Sequence, residues 1–434
     1  MTNSSLYSTN KLIDLSAANA WRLQAIEHGI IDPSWEWLLT AVAYHHDPLQ
    51  RLQLSLARIE RLMEEVWIAY FHQPATLLRE LGIPEWMLNY IKLDKCVMPV
   101  PLRWDAICRE THWKIIEINT GFCLGGLNGF SVNQQREDFY ARSGSDIAMA
   151  QLDNTFRFLA ESLRPVVGDN AVIPVIETAG GYEKYGFYLH HFVMNMNKTR
   201  SGFYISGTVA DFEIIEEQIF FKGHAVMHFI PMFNLYELSE NQPDHRFFLH
   251  HLKEESLVSL LGFRELIFSN KAFIPWLVSY AAATRSAEEA QEIADLFPRS
   301  TVLSNGNVRS FFDGDFILKP AEGYGGNGIV CSWLCQRDDW INALQHVLSD
   351  GDLWLIQERI IGNVSYMQSV DASGNMKEGC SSVVHGFITL RGKFIGNLTR
   401  AAIGIQQPGI INAHQGAAFG LSGLNLNMSA KRIL

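Results

Sequence analysis

Two runs of strand-forming residues, separated by a short polar interval, predict a β-hairpin over 102–108 and 113–120. Pairing of the two strands would bring Asp105 close to Glu117 and Asn119 across the ladder. Side chains two residues apart in a strand share one face, so Glu117 and Asn119 would point the same way. Two carboxylates and an amide oxygen are the hard ligands that Mg²⁺ prefers, with substrate phosphates completing the coordination. The hairpin therefore predicts a magnesium site.

One basic residue belongs to the same predicted face. Arg103 precedes Asp105 by two positions and would lie beside it. A guanidinium suits an anionic phosphoryl or tetrahedral group, because its planar fork donates several charge-assisted hydrogen bonds. We therefore expect the hairpin to meet an anion as well as a cation.

A second motif, far downstream, indicates a nucleotide. A predicted strand over 315–320 carries Lys319 and runs into a glycine-rich loop. The glycines of this loop are Gly323, Gly325, Gly326 and Gly328. Glycines let backbone N–H groups close on phosphate oxygens, and a lysine adds a point charge. The spacing matches neither a P-loop nor a dinucleotide fingerprint, and a glycine-rich hairpin turn is the alternative interpretation.

An apolar strand over 353–359 contains Gln357 and Glu358 near its end. Its backbone and the Glu358 carboxylate could meet an adenine edge and a ribose. A solvated charge at the end of a strand is the simpler alternative for Glu358 alone.

Length and composition limit the class of protein. The 434 residues exceed a single ordinary core, so two or three subdomains are expected. The net charge is −11 without a block of like charge, which argues against a nucleic-acid surface. The first ten residues are polar and no apolar run is long enough to cross a membrane, so neither a signal peptide nor a membrane span is expected. Six scattered cysteines fit thiols in a reducing cytosol, which predicts a cytoplasmic protein.

Three regions are predicted along the chain: a helical region over 1–96, a metal-binding hairpin with an α/β layer over 97–264, and a nucleotide-binding region over 265–434. The helices predicted in the first region cover 12–28, 35–44 and 52–71.

The α/β layer is predicted from a strand–loop–helix order. A buried strand over 170–177 precedes a glycine loop at 180–183 and then a helix, as in a doubly wound sheet whose ligands lie at the carboxyl ends of the strands. Glu177, Tyr182 and Glu183 are therefore candidate contacts for an amine, although capping or solvated carboxylates would explain them equally well.

Four residues nearer the end of the chain have less definite interpretations. Arg400 and Asn412 could face phosphates or an acceptor substrate, whereas His385 and His414 are interpreted as structural histidines.

The strand with Lys319, the glycine loop and the Gln357-Glu358 strand together resemble the ATP-grasp superfamily. In the usual chain order of that fold the metal carboxylates follow the glycine loop, but residues 410–416 contain no Asp or Glu. Here Arg-x-Asp and Glu-x-Asn lie upstream, an order that resembles the circularly permuted ATP-grasp ligases typified by the synthetase domain of glutathionylspermidine synthase. Residues 269–275, Ser-Asn-Lys-Ala-Phe-Ile-Pro, also resemble that family's Ser-Asn-Lys-Ala-Leu-Leu-Pro.

The resemblance implies a mixed α+β and α/β chain with a circularly permuted ATP-grasp fold, a pre-ATP-grasp α/β layer and a helical N-terminal region. It implies a role for each matching residue: Asp105, Glu117 and Asn119 would hold Mg²⁺, Arg103 would stabilise transition-state charge, Lys271 and Lys319 would contact ATP phosphates or adenine, and Gln357 and Glu358 would bind adenine and ribose. Without the family, Lys271 would be an ordinary surface lysine at a helix start.

The implied function is an ATP- and Mg²⁺-dependent carboxylate–amine ligase that joins small molecules, such as an amino acid or short peptide, through an acyl phosphate. Two alternatives stay open. One is an ATP-grasp enzyme that transfers phosphate or activates an acid for a thiol, and the other is a nucleotide-binding partner protein without turnover.

Overall fold

A computed structural model describes residues 6–10, 15–70, 73–91, 100–121, 149–150, 155–168, 170–323, 325–405, 408–412, 415–420 and 422–425. The α-helices are α1 (Leu15–Glu27), α2 (His46–Tyr70), α3 (Pro74–Glu80), α4 (Leu88–Ile91), α5 (Thr155–Val167), α6 (Ala179–Lys198), α7 (Pro243–Lys253), α8 (Glu265–Phe268), α9 (Phe273–Thr284), α10 (Ala287–Leu296) and α11 (Arg337–Val347).

The strands are β1 (Tyr7–Asn10), β2 (Trp37–Leu38), β3 (Ala41–Tyr44), β4 (Leu102–Arg109), β5 (His112–Thr120), β6 (Met149–Ala150), β7 (Val172–Glu177), β8 (Phe203–Thr208), β9 (Phe212–Ile215), β10 (Gln218–Phe221), β11 (His224–Ala225), β12 (His228–Pro231), β13 (Val258–Ser259), β14 (Ser300–Val302), β15 (Phe316–Pro320), β16 (Val330–Cys331), β17 (Trp354–Glu358), β18 (Val364–Val370), β19 (Met376–Leu390), β20 (Lys393–Ala401), β21 (Ala418–Gly420) and β22 (Ser422–Asn425). The mixed α/β class predicted from the sequence is thus confirmed.

A seven-stranded sheet in the order β18-β2-β21-β20-β19-β4-β5 holds the predicted hairpin at one edge. It takes strands from all three predicted regions of the chain. The division into those three regions, the circular permutation and a separate pre-ATP-grasp layer stay predictions.

The first region contains strands as well as helices. Helices α1 and α2 confirm the predictions for 12–28 and 52–71, and α2 buries an apolar stripe, half of it leucine, against the main core. The helix predicted over 35–44 is wrong, because this segment forms β2 and β3. Both strands lie in sheets and bury apolar residues on both faces, and a short fully apolar run does not distinguish a helix from a buried strand by its periodicity.

A second sheet is parallel throughout, in the order β13-β12-β7-β8. Helix α6 makes the crossover from β7 to β8, which confirms the strand–helix–strand order predicted here, whereas a doubly wound layer stays a prediction. The loop predicted at 180–183 is wrong, because these residues form the first turn of α6, where the Thr178 hydroxyl caps the helix by accepting from Gly181 N–H. Glu177 ends β7 and so lies at the carboxyl edge of the sheet.

A third sheet, β14-β17-β15-β16, carries Lys319 on β15 and both Gln357 and Glu358 on β17. It packs against α11 through a small apolar cluster that includes Leu318, Trp340 and Ile356. The strands predicted over 315–320 and 353–359 are confirmed. Among the described residues, no helix has the length and apolarity needed to cross a membrane.

Candidate functional site

The predicted hairpin forms, in a register that brings its polar residues together. Strands β4 and β5 are antiparallel, with Asp105 opposite Glu117 and Arg103 opposite Asn119. The register shifts between Asp105 and Ala106, so an irregularity lies directly beside the carboxylate. The four side chains therefore meet on one face of the sheet, as the alternation of a strand requires.

Asp105 is the most enclosed of these groups, with only 2% of its surface exposed. Arg103 donates from Nε to Oδ1 at 2.9 Å and from Nη2 to Oδ2 at 3.0 Å. Arg400 Nη2 forms an ion pair with Oδ1 at 2.7 Å, and Asn119 Nδ2 lies 3.4 Å from Oδ2. Burial by itself would raise the pKa of Asp105, but the guanidinium groups of Arg103 and Arg400 outweigh it and hold that pKa below its ordinary value.

Lys271 connects the hairpin to the glycine loop. Its Nζ donates to the carbonyl oxygen of Gly323 at 2.6 Å and forms an ion pair with Glu117 Oε1 at 3.5 Å. Only 8% of its surface is exposed, so the interpretation as an ordinary surface lysine is wrong. Segments far apart in the chain thus meet at one ammonium group.

Lys319 is also buried and points toward the same region. Its Nζ donates to Gln357 Oε1 at 2.9 Å and lies 3.5 Å from the carbonyl oxygen of Ile116 in β5. Burial lowers the pKa of Lys319, and the nearby Glu117 carboxylate opposes that shift. The Gln357 side chain therefore orients Lys319. Both residues line the cavity where the third sheet approaches β5.

Glu358 is occupied by a local partner. Its carboxylate accepts from Arg299 N at 2.9 Å and from Arg299 Nε at 2.8 Å. Burial would raise the pKa of Glu358, but the hydrogen bonds from Arg299 outweigh it and lower that pKa. A ribose bound there would have to share the carboxylate with Arg299.

All four glycines of the loop have positive φ, from 70° at Gly325 to 122° at Gly323. A side chain is strained in this conformation, which favours glycine. A Cβ at Gly326 would lie 3.2 Å from the Ile410 side chain, so this part of the loop lies against residues 408–412. Tyr324 lies outside the described residues.

A cavity of about 530 Å³ joins these elements. Arg103 and the residues predicted to bind metal or nucleotide all line it, except Gly328. Additional lining residues include Glu177, Lys184, Tyr185, Arg400 and Asn412. The hairpin, the two lysines, the glycine loop and the carboxyl edge of the parallel sheet therefore line one cavity.

Glu177 is buried at the edge of this cavity. It accepts a hydrogen bond from Thr178 N at 2.8 Å, and a Cβ at Gly181 would come within 2.7 Å of its Oε1. Burial raises the pKa of Glu177 to about 8. Tyr182 and Glu183, the other two candidate contacts for an amine, do not line the cavity.

Gly386 is a site residue that the sequence does not predict. It lies opposite Asp105 in the β19–β4 pair, and a Cβ there would lie 3.2 Å from Asp105 Oδ1 and 2.9 Å from Leu398. Since β19 separates β20 from β4, the Arg400 side chain must cross β19 to reach Asp105. A glycine at this position leaves the space for that crossing. No local motif signals it, because the requirement depends on strand register.

His385 is structural, as interpreted from the sequence. Its ring is fully buried among Tyr7, Tyr44, Trp113 and Phe387, and Nδ1 lies 3.0 Å from the Tyr44 hydroxyl. Burial lowers the pKa of His385 to about 3, so the imidazole is neutral at physiological pH. His414 lies outside the described residues.

The oxygen donors of the hairpin match Mg²⁺ in chemical type. Among the described residues, no group of three His, Cys, Asp or Glu side chains could hold a metal ion. The predicted set has two acids, Asp105 and Glu117, and an amide, and it would depend on substrate oxygens to complete the coordination. Guanidinium and amide donors face both carboxylate oxygens of Asp105. A cation could bind one of these oxygens only if Arg103 or Arg400 released its contact with it.

No protein-family model matches the chain, and no curated protein matches it either. One similar solved structure is a provisionally named gamma-glutamylcysteine synthetase from Methylobacillus flagellatus KT. It is 10% identical, the match covers 86% of this chain and 87% of that one, and the TM-score is 0.48. Another is D-alanyl-alanine synthetase A from Vibrio cholerae O1 biovar eltor, 10% identical over 59% of this chain and 89% of that one, with a TM-score of 0.32. At these scores the likeness carries no conclusion about this chain.

Proposed function

We propose that this protein is an ATP- and Mg²⁺-dependent carboxylate–amine ligase with a circularly permuted ATP-grasp fold. The observation that supports it best is the pair of contacts of Lys271, which place Glu117 of the hairpin and Gly323 of the glycine loop around one ammonium. A nucleotide bound under the glycine loop would present its terminal phosphates to the hairpin.

The charges of the cavity favour a polyphosphate. At the hairpin, the cavity is lined by the basic side chains of Arg103, Lys271, Lys319 and Arg400 and by the carboxylates of Asp105 and Glu117. Elsewhere its charged lining residues are two basic ones, Lys184 and Arg359, and three acidic ones, Glu177, Glu237 and Glu358. Preorganised cations in a site with little water stabilise charge on a transferring phosphoryl group far better than they would in water. In the absence of an anion, Arg103 and Arg400 neutralise Asp105; an incoming phosphate would compete for them.

Each of these residues would have its own role in amide formation. The substrate carboxylate attacks the γ-phosphorus and ADP leaves; the amine then attacks the acyl phosphate carbon, loses a proton, and inorganic phosphate leaves. Lys271 and the glycine loop would hold the phosphates, and Arg103 would stabilise the charge of both steps. Asp105, Glu117 and Asn119 would hold Mg²⁺, which would neutralise phosphate charge. Gln357 and Glu358 would face the adenosine.

Glu177 would bind the amine substrate. As a buried carboxylic acid at the carboxyl edge of the parallel sheet, it gains a partner when an ammonium group enters. Its position in the same cavity as the hairpin makes an approach to the acyl carbon possible.

Amine binding should therefore depend on the ionisation of Glu177. Because the pKa of Glu177 is about 8, the carboxyl is neutral below that pH and negative above it. The amine KM, corrected for ionisation of the amine itself, should fall as the pH rises from 7 to 9. Glu177→Gln should remove this dependence and raise the KM about 10-fold or more at pH 9.

Glu183→Gln is the matched control, since Glu183 is exposed on the same helix and does not line the cavity. An unchanged pH profile in Glu177→Gln would remove Glu177 from the amine site.

A pairwise screen of amino acids, short peptides and polyamines tests the proposed function. ADP should form only when a carboxylic acid, an amine and Mg²⁺ are all present, with the amide product detected by mass spectrometry. ADP release with an acid and a thiol, or with a phosphate acceptor alone, would favour the alternative enzymes. ATP binding without turnover across the screen would favour the nucleotide-binding partner protein. A cytoplasmic location without nucleic-acid partners stays a prediction from composition.

A further inference from the structure

The cavity face of the seven-stranded sheet has a polar end and an apolar end. Glu117 and Asp105 lie opposite each other on β5 and β4. On the other side of β19, Arg400 of β20 lies opposite Phe419 of β21. From the β5 edge toward β21, the side chains on this face are therefore first carboxylates, then a guanidinium and then an aromatic ring.

Beyond Arg400 the cavity wall is apolar. The Trp35 and Phe419 rings have centroids 5.4 Å apart at an angle of 55°, and Leu398 belongs to the same apolar cluster. All three line the cavity, as does Val384, which lies opposite Arg400 on β19. We call Trp35, Val384, Leu398 and Phe419 the aromatic corner. Trp35 precedes β2, so the N-terminal region contributes to the site.

Lys271 and Lys319 lie at the β5 end of this face, opposite the aromatic corner. Lys271 contacts Glu117, and Lys319 lies against the backbone of β5. A nucleotide held by these lysines would approach from the β5 side. Phosphoryl transfer places the attacking and leaving oxygens roughly in line, so the attacking carboxylate would lie across from the nucleotide, toward Arg400.

We propose that the carboxylate substrate carries an apolar side chain, aromatic or branched aliphatic, which packs in the aromatic corner while its carboxylate faces Arg400. This inference rests on the proposed ligase function. Leu398 of the corner lies close to the Arg400–Asp105 ion pair, since a Cβ at Gly386 would lie 2.9 Å from Leu398 and 3.2 Å from Asp105 Oδ1, the oxygen that Arg400 contacts. A carbon–carbon bond is about 1.5 Å long, so a side chain that extends about three or four bonds from the carboxylate, such as that of leucine or phenylalanine, reaches from this ion pair to the corner. A charged or strongly polar side chain would lose its hydration there without gaining a partner.

The test compares acid substrates in the wild type and in Trp35→Ala, with L-phenylalanine and L-leucine as apolar probes and L-glutamate and L-serine as polar ones. The wild type should use the apolar acids with the lower KM. Trp35→Ala should raise the KM for L-phenylalanine about 10- to 100-fold, with a change below about 3-fold for L-serine. Trp35→Phe should restore most of the affinity. Trp86→Ala is the matched control, because Trp86 is 41% exposed and does not line the cavity.

Several outcomes would overturn the inference: a wild-type preference for L-glutamate, equal KM changes for polar and apolar acids, or a change confined to the KM of the amine. Calorimetry should also measure the binding of L-phenylalanine and L-glutamate in the presence of a non-hydrolysable ATP analogue. Because this measurement needs no turnover, it tests the aromatic corner independently of the proposed ligase function. If no acid–amine pair releases ADP, the ligase proposal fails, while tighter binding of L-phenylalanine that is lost in Trp35→Ala still supports the corner as an apolar site. Equal binding of the two amino acids overturns it.

Discussion

Glu117→Gln should lower ATP turnover about 100-fold or more, because it removes one of two carboxylates proposed to hold Mg²⁺ where charge develops on the phosphoryl group. The side chain is 27% exposed, and its partner Lys271 keeps a second contact at Gly323, so the fold should persist. Turnover is measured as ADP release, and the Mg²⁺ concentration for half-maximal activity should rise in the variant.

Glu110→Gln serves as the control, since Glu110 is an exposed carboxylate on the same hairpin, at its turn. Asp105→Ala is less decisive, because it would leave Arg103 and Arg400 buried without their carboxylate, which typically costs about 3–5 kcal/mol of stability. Normal turnover and an unchanged Mg²⁺ requirement in Glu117→Gln would contradict the metal assignment.

Lys271→Met should weaken binding of a non-hydrolysable ATP analogue about 10- to 100-fold, because a buried ammonium that reaches both the glycine loop and the hairpin is lost. Methionine has a similar length and is apolar, so packing should be kept. Calorimetry measures the affinity, and thermal unfolding checks the fold.

Lys253→Met is the corresponding control, since Lys253 is exposed at the end of α7 and does not line the cavity. An affinity for the analogue within about two-fold of the wild type would show that Lys271 does not contact the nucleotide.

The local parts of this site could be predicted from the sequence. The hairpin follows from alternation around a polar turn, and β15 and β17 follow from apolar runs beside glycine or charged residues. Each of these signals is contained within a short stretch of the chain, the longest being the hairpin over 102–120, so no knowledge of distant partners is needed.

The remaining features depend on partners far away in the chain. The apolar run of residues 35–44 predicts a helix, because nothing in it reveals that β18, β21 and β22 lie beside this segment. The roles of Gly386 and Trp35 likewise depend on which strand lies next to which, and a residue's own neighbours in sequence contain no such information.

The partners of β2 and β3 have a consequence for biosynthesis. Strand β2 pairs in parallel with β21, and β3 pairs in parallel with β22. Strand β2 therefore lacks a neighbour until residue 420 has left the ribosome, and β3 lacks one until residue 425 has done so. The nascent chain must keep these early apolar segments from aggregating for most of its translation. We expect such a protein to engage chaperones during synthesis and to refold slowly from denaturant, since non-local strand pairing is slow.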